Sequence, residues 1–262
     1  MPTKILVTKK LATKGAVLIV GLPGIGLVGK ISIDYLLKEL SPEKIAEVYS
    51  DSFPPSVHTK NSKVHLIKDE IYYLKYKKQD FFFLVGPVQP TLDFKVGSAH
   101  EHYEFAETMI SYFKSVGVNE VITLAGLNIG EKRINMKPKI VVAGTDDVTI
   151  KKWKKFGAKE DKKEGLISGA AGLFIGIGRL QKMTGACLMG ETNAQLVYGD
   201  QGSAKAIIEL LKKRFGFKVK MKSIDKEAKE IESAFKDLNQ QLESLEDETS
   251  VNNLPYVRWW KK

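Results

Sequence analysis

A glycine-rich loop that ends in a lysine is the first stretch of this sequence that could bind a phosphate. Residues 24–30 (GIGLVGK) have the P-loop spacing G-x-x-x-x-G-K, and residues 24–29 also have the dinucleotide-binding spacing G-x-G-x-x-G. In both sites the backbone N–H groups at the start of a helix bind phosphate oxygens. A P-loop needs Ser or Thr after its lysine to help hold Mg²⁺, but Ile31 occupies that position and Ser32 comes one residue later.

The dinucleotide fingerprint is also incomplete. It requires an acidic residue about 20 positions beyond its last glycine to bind a ribose, and the nearest acids are Glu47 and Asp51. Residues 21–23 (GLP) add a rigid step before the fingerprint. Glycines also allow a helix to pack closely against a sheet without any ligand. We therefore expect no bound cofactor and assign the loop a packing role.

A second group of titratable side chains lies in residues 100–104 (HEHYE), where His100 and Glu104 share one face of a predicted helix. A metal site would need a third convergent ligand, and the other histidines are His58 and His65. We expect this segment to begin a surface or interface helix and to bind no metal.

The remaining candidate side chains do not assemble a catalytic group. Cys187 lies in an apolar strand and is predicted to be a buried hydrophobic residue rather than a nucleophile. Ser168 lacks the flanking glycines of the nucleophile elbow G-x-S-x-G. Asp146 and Asp147 follow a strand, where turn and helix-cap roles account for them. The sequence therefore predicts a protein that is not an enzyme.

The formal net charge of +10 suggests an acidic partner such as nucleic acid. The densest basic stretch, residues 150–165, mixes its lysines with Glu160, Asp161 and Glu164 around Trp153. We expect a solvated surface there and no nucleic-acid partner. The lysines concerned are Lys151, Lys152, Lys154, Lys155, Lys159, Lys162 and Lys163.

Composition and apolar run lengths predict a soluble cytoplasmic protein. A single cysteine fits a reducing compartment. The first ten residues contain no apolar core of signal-peptide length. The longest weakly polar run, residues 166–178, is too short and too rich in glycine to span a bilayer.

Apolar segments of strand length alternate with helical patterns along most of the chain. This alternation predicts one three-layer α/β domain, with a mostly parallel sheet and helices on both faces. Residues 63–67 and 71–75 look like the two strands of a hairpin around Lys68, Asp69 and Glu70. The other predicted strands are residues 16–20, 45–49, 81–85, 120–126, 139–145 and 186–190, and the clearest predicted helices are 27–40, 99–116 and 203–216.

The C-terminal part of the sequence differs from the rest. Apolar residues spaced by four and three predict an amphipathic helix whose seam packs either on its own domain or on another subunit. The seam consists of Ile224, Ala228, Ile231, Phe235, Leu238, Leu242 and Leu245. We divide the chain into an α/β domain (1–222), this interface helix (223–246) and an aromatic, basic tail (247–262).

Taken together, these motifs resemble the archaeal branch of the proteasome assembly chaperone 2 family. The family signature G-[FLW]-P-G-x-G-x-V-[GA] is similar to the loop after the first predicted strand, with Gly21, Pro23, Gly24, Gly26 and Gly29 at the defining positions. The resemblance continues through residues 86–90 (GPVQP), 103–127 and 165–192. It therefore extends over most of the chain.

The resemblance implies a fold similar to nucleoside phosphorylases and related hydrolases, without their catalytic residues. It also implies a homo-oligomer that binds the α-ring of the 20S proteasome, as an assembly chaperone or an ATP-independent activator. Family members insert a C-terminal tail that ends in hydrophobic–Tyr–X, whereas here the penultimate residue is Lys261. The partner-binding residues we predict are Tyr256, Arg258, Trp259, Trp260, Lys261 and Lys262.

Two functional hypotheses follow. In the first, the protein acts by association, and several tethered tails bind a ring-shaped partner. In the second, it is an enzyme of the phosphorylase or hydrolase type, with a cleft near the glycine loop and the strand ends at Gly126 and Gly144.

Overall fold

The computed structural model of the protein describes residues 2–90, 99–161, 164–196 and 198–222, together with residues 224 and 226. Strands and helices alternate along these residues, as the apolar periodicity predicts. The strands are β1 (Lys4–Val7), β2 (Ala16–Gly21), β3 (Glu43–Tyr49), β4 (Val57–Lys60), β5 (Lys63–Leu66), β6 (Asp69–Tyr76), β7 (Gln79–Val85), β8 (Val118–Asn128), β9 (Ile140–Gly144), β10 (Lys159–Glu160) and β11 (Thr184–Thr192). The α-helices are α1 (Val28–Leu40), α2 (Ala99–Ser115), α3 (Asp147–Phe156), α4 (Ala170–Leu180) and α5 (Gln201–Phe215), and short 3₁₀ turns cover Ile25–Leu27 and Gly130–Asn135.

Nine of the described strands form one sheet in the order β1-β3-β6-β7-β2-β8-β11-β9-β10. The central strands β7, β2, β8 and β11 are parallel to one another. Antiparallel pairs flank them, β1–β3–β6–β7 on one side and β11–β9 on the other. The α/β class and the parallel centre of the sheet are confirmed, and the strands toward both edges make the sheet mixed.

Helices cover both faces of this sheet and give it two apolar cores. Alternate residues of β2 point to opposite faces, so that Val17 and Ile19 join one core while Leu18 and Val20 join the other. Helices α1, α3 and α5 pack over the first core, and α2 and α4 pack over the second. The predicted three-layer arrangement is therefore present, and the continuous apolar sequence of β2 follows from burial on both faces.

The predicted hairpin of residues 63–75 is wrong. Strand β5 pairs with β4 in a separate two-stranded sheet, whereas β6 pairs with β3 and β7 in the main sheet. Asp69, which the sequence placed in a turn, is buried as the first residue of β6. Alternating polarity identifies a strand but does not identify its partner, because strand pairing is decided by contacts outside the segment.

The C-terminal predictions fall mostly outside the described residues. Ile224 is described, is 1% exposed and packs into the core under α1 and α5. This position therefore contributes to the fold of its own chain instead of to a seam that faces another subunit. The other seam residues lie outside the described residues, and they are Ala228, Ile231, Phe235, Leu238, Leu242 and Leu245. The same holds for the tail residues Tyr256, Arg258, Trp259, Trp260, Lys261 and Lys262.

Among the described helices, none combines the length and the apolar character needed to cross a bilayer.

Candidate functional site

The carboxyl ends of β2 and β8 border a cavity of about 310 Å³. From β2 the chain runs through α1, on one face of the sheet, to β3 near one edge. From β7 it runs through α2, on the opposite face, to β8, which lies on the other side of β2. A crevice at such a change of direction is the usual ligand position in open α/β sheets. The glycine loop forms one wall of the cavity, the end of β8 forms the second, and the start of α4 forms the third.

Two glycines of the loop are required by close packing. A Cβ atom added at Gly29 would lie 2.2 Å from the carbonyl oxygen of Leu124, so α1 approaches the backbone of β8 directly. A Cβ at Gly21 would meet the side chain of Ile33 at 2.4 Å. Only glycine allows this approach of helix to strand. The loop glycines therefore fix the position of α1, which agrees with the packing role expected from the sequence.

The middle of the loop crosses the end of β11. Gly26 has a φ of 59°, and a Cβ there would lie 2.4 Å from Oγ1 of Thr192. Gly126 faces the carbonyl oxygen of Ile25 in the same way. Gly24, by contrast, is an exposed residue in extended backbone, and a Cβ there would meet nothing within 4 Å. Four of the five signature positions are therefore buried or partly buried, and Gly24 is the open one.

The lysine that completes the P-loop spacing points away from the loop. Nζ of Lys30 donates to both carboxylate oxygens of Asp34 at 2.5 Å, one turn further along α1. The hydroxyl of Ser32 is buried and donates to the carbonyl oxygen of Val28 at 2.7 Å. Neither group is in position to bind a phosphate or Mg²⁺ at the loop.

Gln89 ties the glycine loop to α4. Its amide Nε2 donates to the carbonyl oxygen of Pro23 at 2.6 Å, and its Oε1 accepts from the backbone N–H of Ala170 at 3.3 Å. One side chain thus satisfies a carbonyl of the loop and an N–H at the first turn of a helix, groups that otherwise lack an internal partner. Gln89 lies in the motif GPVQP of residues 86–90, but nothing within that motif signals the link it makes.

A buried ion pair is hydrogen-bonded to the glycine loop. Asp200 accepts two hydrogen bonds from the guanidinium of Arg133, each at 2.8 Å, and the two side chains are 3% and 6% exposed. Asp200 also caps α5 by accepting from the N–H of Ser203 at 2.8 Å, and its own N–H donates to the carbonyl oxygen of Gly26. Asp200 thus joins the Gly130–Asn135 turn and the start of α5 through its carboxylate and the glycine loop through its N–H, and no local sequence motif signals these contacts.

The chemistry of the cavity wall is neutral. Among the described residues that line it, the polar side chains are Gln89, Thr123, Asn128 and Ser168, and none of the lining side chains is charged. The hydroxyl of Thr123 already donates to the carbonyl oxygen of Ala171 at 3.0 Å. A small uncharged ligand could bind here, but the wall holds no acid–base pair and no nucleophile set with a base in reach.

The histidine segment has a structural role. Glu104 accepts from both the N–H and the hydroxyl of Thr3, at 3.0 and 2.5 Å, and also from Thr108. It therefore fastens the start of β1 to α2. His102 is buried rather than on the surface as expected. Within the described residues, no group of three His, Cys, Asp or Glu side chains could hold a metal ion.

The remaining single candidates take the structural roles expected of them. Cys187 is fully buried, and burial raises the pKa of its thiol to about 11. Asp146 caps α3 by accepting from the N–H of Thr149 at 2.8 Å, and this bond lowers the pKa of its carboxyl. Glu47 lies on β3, which β6 and β7 separate from β2, and hydrogen bonds from Lys68 and Lys44 lower its pKa to about 2. Glu47 is therefore not placed to bind a ribose at the loop.

The basic stretch of residues 150–161 does not present an aromatic surface. Trp153 is fully buried, and the guanidinium of Arg214 stacks on its ring at 4.1 Å. Lys154 pairs with Glu160 at 2.6 Å. A base could not stack on this tryptophan, which agrees with the expected solvated surface. Lys162 and Lys163 lie outside the described residues.

Asp69 is a buried acid that the sequence analysis did not identify. Its side chain is 0% exposed and lies directly over Gly86, where no Cβ could fit. Neither oxygen has a hydrogen-bond partner of ordinary geometry among the described residues. Burial raises the pKa of this carboxyl well above its usual value, and the charge of Lys30 and the backbone of Val88 offset that effect only in part.

A family model, a sequence relative and a solved structure each match most of this chain. A family model described as the PAC2 family matches residues 18–239. An uncharacterized protein of Methanocaldococcus jannaschii is 32% identical over 220 residues, which cover 84% of this chain and 81% of that protein. A solved structure of Pyrococcus furiosus PbaB, described as an archaeal proteasome activator, is 32% identical with a TM-score of 0.81, covering 91% of this chain and 99% of that one.

A second Pyrococcus furiosus structure shares the fold. PbaA, described as an archaeal homolog of proteasome-assembly chaperone, has a TM-score of 0.73 at 24% identity and covers 95% of this chain and 97% of that one. The family match begins within β2, just before the glycine loop, and extends beyond the end of α5. This chain belongs to the PAC2 family, which is the proteasome assembly chaperone family that its glycine loop resembles.

Proposed function

We propose that this protein acts by association and not by catalysis. It is a cytoplasmic homo-oligomer that binds the α-ring of the 20S proteasome, as an assembly chaperone or an ATP-independent activator. The observation that carries this proposal is the similarity to the PbaB activator, which covers 99% of that chain at 32% identity. The neutral cavity wall and the outward position of Lys30 support it, because neither supplies the groups that nucleotide chemistry requires.

The docking element in this proposal is the tail at residues 254–262. Aromatic and arginine side chains are the strongest anchors in protein interfaces, and Tyr256, Arg258, Trp259 and Trp260 supply them here. Several tails on one oligomer bind a ring with an affinity far above that of a single tail. The oligomer forms through the α/β domain and the predicted 223–246 helix, with Ile224 excluded because it is buried in its own chain.

Co-sedimentation with the 20S proteasome tests this proposal. We expect the full-length chain to migrate with the proteasome and a chain truncated after Asn253 to migrate alone. A variant with Trp259→Ala and Trp260→Ala should behave like the truncation, whereas Asn252→Ala with Asn253→Ala, just before residues 254–262, serves as the matched control. If the truncated chain still migrates with the ring, the globular surface carries the contact. If no form migrates with it, the proteasome is not the partner.

The cavity favours a second candidate function. Its position between β2 and β8 is that of a ligand site in related folds, so an enzyme acting on a nucleoside or another small neutral molecule is the alternative. A ligand at 100 times its dissociation constant stabilises the folded state by about 2.7 kcal/mol. Thermal unfolding with a panel of nucleobases and nucleosides should show no such shift if the association proposal is right.

A further inference from the structure

The hairpin of β4 and β5 has two chemically different faces. The register pairs Val57 with Leu66 and Thr59 with Val64, so these four side chains share one face. The opposite face carries the pairs His58 with His65 and Lys60 with Lys63. All eight residues are exposed. A two-stranded sheet is marginally stable in water unless its apolar face packs on another element.

The apolar face looks into an open cleft at the edge of the main sheet. Val64 and Leu66 line this cleft together with Leu6 of β1 and Tyr49 of β3, and its volume is about 500 Å³. Val57, Val64, Leu66 and Leu6 are 51%, 69%, 59% and 54% exposed, so no described residue covers them. We call this region the hairpin cleft. Exposed aliphatic groups gathered in one place are typical of a protein–protein contact.

The rim of the hairpin cleft is mainly basic. Lys4 and Lys68 line it, and Lys60 and Lys63 lie at the tip of the hairpin. Lys68 is bonded to Glu47 of β3, whereas Lys4, Lys60 and Lys63 form no ion pair with a described residue. An adjoining groove on the far side of Leu66 holds Asp51. A segment that fills the cleft should therefore offer aliphatic side chains with acidic neighbours.

One stretch of this chain outside the described residues has that composition. Residues 238–248 (LNQQLESLEDE) combine spaced leucines with a run of acids and contain no basic residue. The leucines are Leu238, Leu242 and Leu245, and the acids are Glu243, Glu246, Asp247 and Glu248. If the predicted helix continues from Ile224, Leu242 lies about 27 Å further along its axis at 1.5 Å per residue. A helix of that length is long enough to reach a second copy from the core in which Ile224 is buried.

We propose that the hairpin cleft of one copy binds residues 238–248 of a second copy. The leucines cover the exposed valine and leucine side chains, and the acids face the lysines of the rim. This inference rests on the proposed homo-oligomer and names the surface through which it forms. It also accounts for a hairpin whose apolar face no described residue covers.

Substitution in the hairpin cleft tests the apolar part of the contact. Val64→Asp changes an exposed residue and leaves the core intact, so folding should persist. We expect the dissociation constant of the oligomer, measured by sedimentation velocity across a dilution series, to rise at least about tenfold. Val148→Asp, at a valine that is 77% exposed on α3, is the matched control and should leave it unchanged.

Charge reversal tests the identity of the occupant. Lys4→Glu with Lys63→Glu should weaken the oligomer, and adding Glu243→Lys with Glu246→Lys should restore it at the same ionic strength. Reversal of Lys151 and Lys155 on α3 is the control and should have no effect. Glu243→Lys with Glu246→Lys alone should also weaken the oligomer, and failure of these changes to restore the Lys4→Glu, Lys63→Glu variant would overturn the specific pairing.

The outcomes separate this inference from the proposed function. A wild-type chain that is monomeric at every concentration overturns both the oligomer and the contact inferred here. A wild-type oligomer that Val64→Asp leaves intact overturns the hairpin cleft and leaves the oligomer standing. Loss of the oligomer in Val64→Asp, together with failure of Glu243→Lys and Glu246→Lys to restore the Lys4→Glu, Lys63→Glu variant, shows that another occupant fills the cleft and overturns the assignment of residues 238–248.

Discussion

Replacing Gly29 by alanine tests whether the glycine loop exists for packing. The added methyl carbon would lie 2.2 Å from the carbonyl oxygen of Leu124 and 2.9 Å from its carbonyl carbon. The obstacle is backbone in the middle of the sheet, which cannot rotate aside as a side chain can. Helix α1 must therefore move away from β8 by about 1 Å, and this disturbs the packing of Val28 and Ile33.

The expected size of the effect follows from two opposing contributions. Overpacking of a well-packed core destabilises a protein by about 1–3 kcal/mol. Alanine is favoured over glycine in a helix interior by up to about 1 kcal/mol, which offsets part of this loss. We expect Gly29→Ala to lower the free energy of unfolding by about 2 kcal/mol. For a domain of this size that corresponds to a decrease in Tm of about 4–8 °C.

Gly24→Ala is the matched control, because it makes the same chemical change in the same loop. A Cβ at Gly24 meets nothing within 4 Å, and its backbone is extended. We expect its Tm to equal that of the wild type or to rise slightly, since alanine restricts the unfolded chain. Differential scanning calorimetry measures both variants. Equal Tm values for Gly29→Ala and the wild type, or an equal decrease in both variants, would refute the packing explanation.

Three further perturbations address buried groups. Asp200→Asn removes the carboxylate that accepts two hydrogen bonds from the buried guanidinium of Arg133, and it should destabilise the protein by about 3–5 kcal/mol in a urea titration. Asp34→Asn, in the exposed pair with Lys30, should change stability by less than about 0.5 kcal/mol. Asp69→Asn should stabilise the protein at pH 7. The raised pKa of Asp69 means that the folded state favours the protonated carboxyl, so the stability of the wild type falls as pH rises through that pKa. The extra stability of the Asn variant should therefore disappear below about pH 4, where the wild-type carboxyl is protonated in both states. Cys187 should react with a thiol reagent at pH 8 only at the rate of unfolding, because its pKa is about 11 and it is fully buried; rapid labelling of the native protein would contradict its placement.

Much of the fold could be predicted because the deciding signals are local. The apolar run of β2 and the helical spacing of α1 identify a strand buried on both faces and the helix that follows it. The absence of Ser or Thr after Lys30 predicted that the loop is no P-loop, and the structure places that lysine on Asp34. Asp146 and Cys187 were likewise assigned correctly, since a cap residue and a small apolar strand residue are recognised from their neighbours.

The supporting contacts of the cavity could not be predicted in the same way. Arg133 and Asp200 are 67 residues apart in the chain, and neither lies in a motif that signals a partner. Gln89 lies in a quoted motif, yet its link between Pro23 and Ala170 depends on how α4 returns to the sheet. Asp69 appears in sequence as one of three charged residues in a row, which is typical of a turn, but β6 begins there and buries it.

Local residue patterns predict the alternation of strands and helices, the α/β class and the glycine loop that identifies the family. These features follow from residue types within a few positions of one another, because periodicity and glycine spacing act on local backbone geometry. Strand pairing, the burial of particular acids and the exposure of the aliphatic face of the β4–β5 hairpin emerge only when the whole chain folds. Such outcomes depend on contacts between residues far apart in the chain, where burial and strand partners are set by the whole sheet and not by the segment.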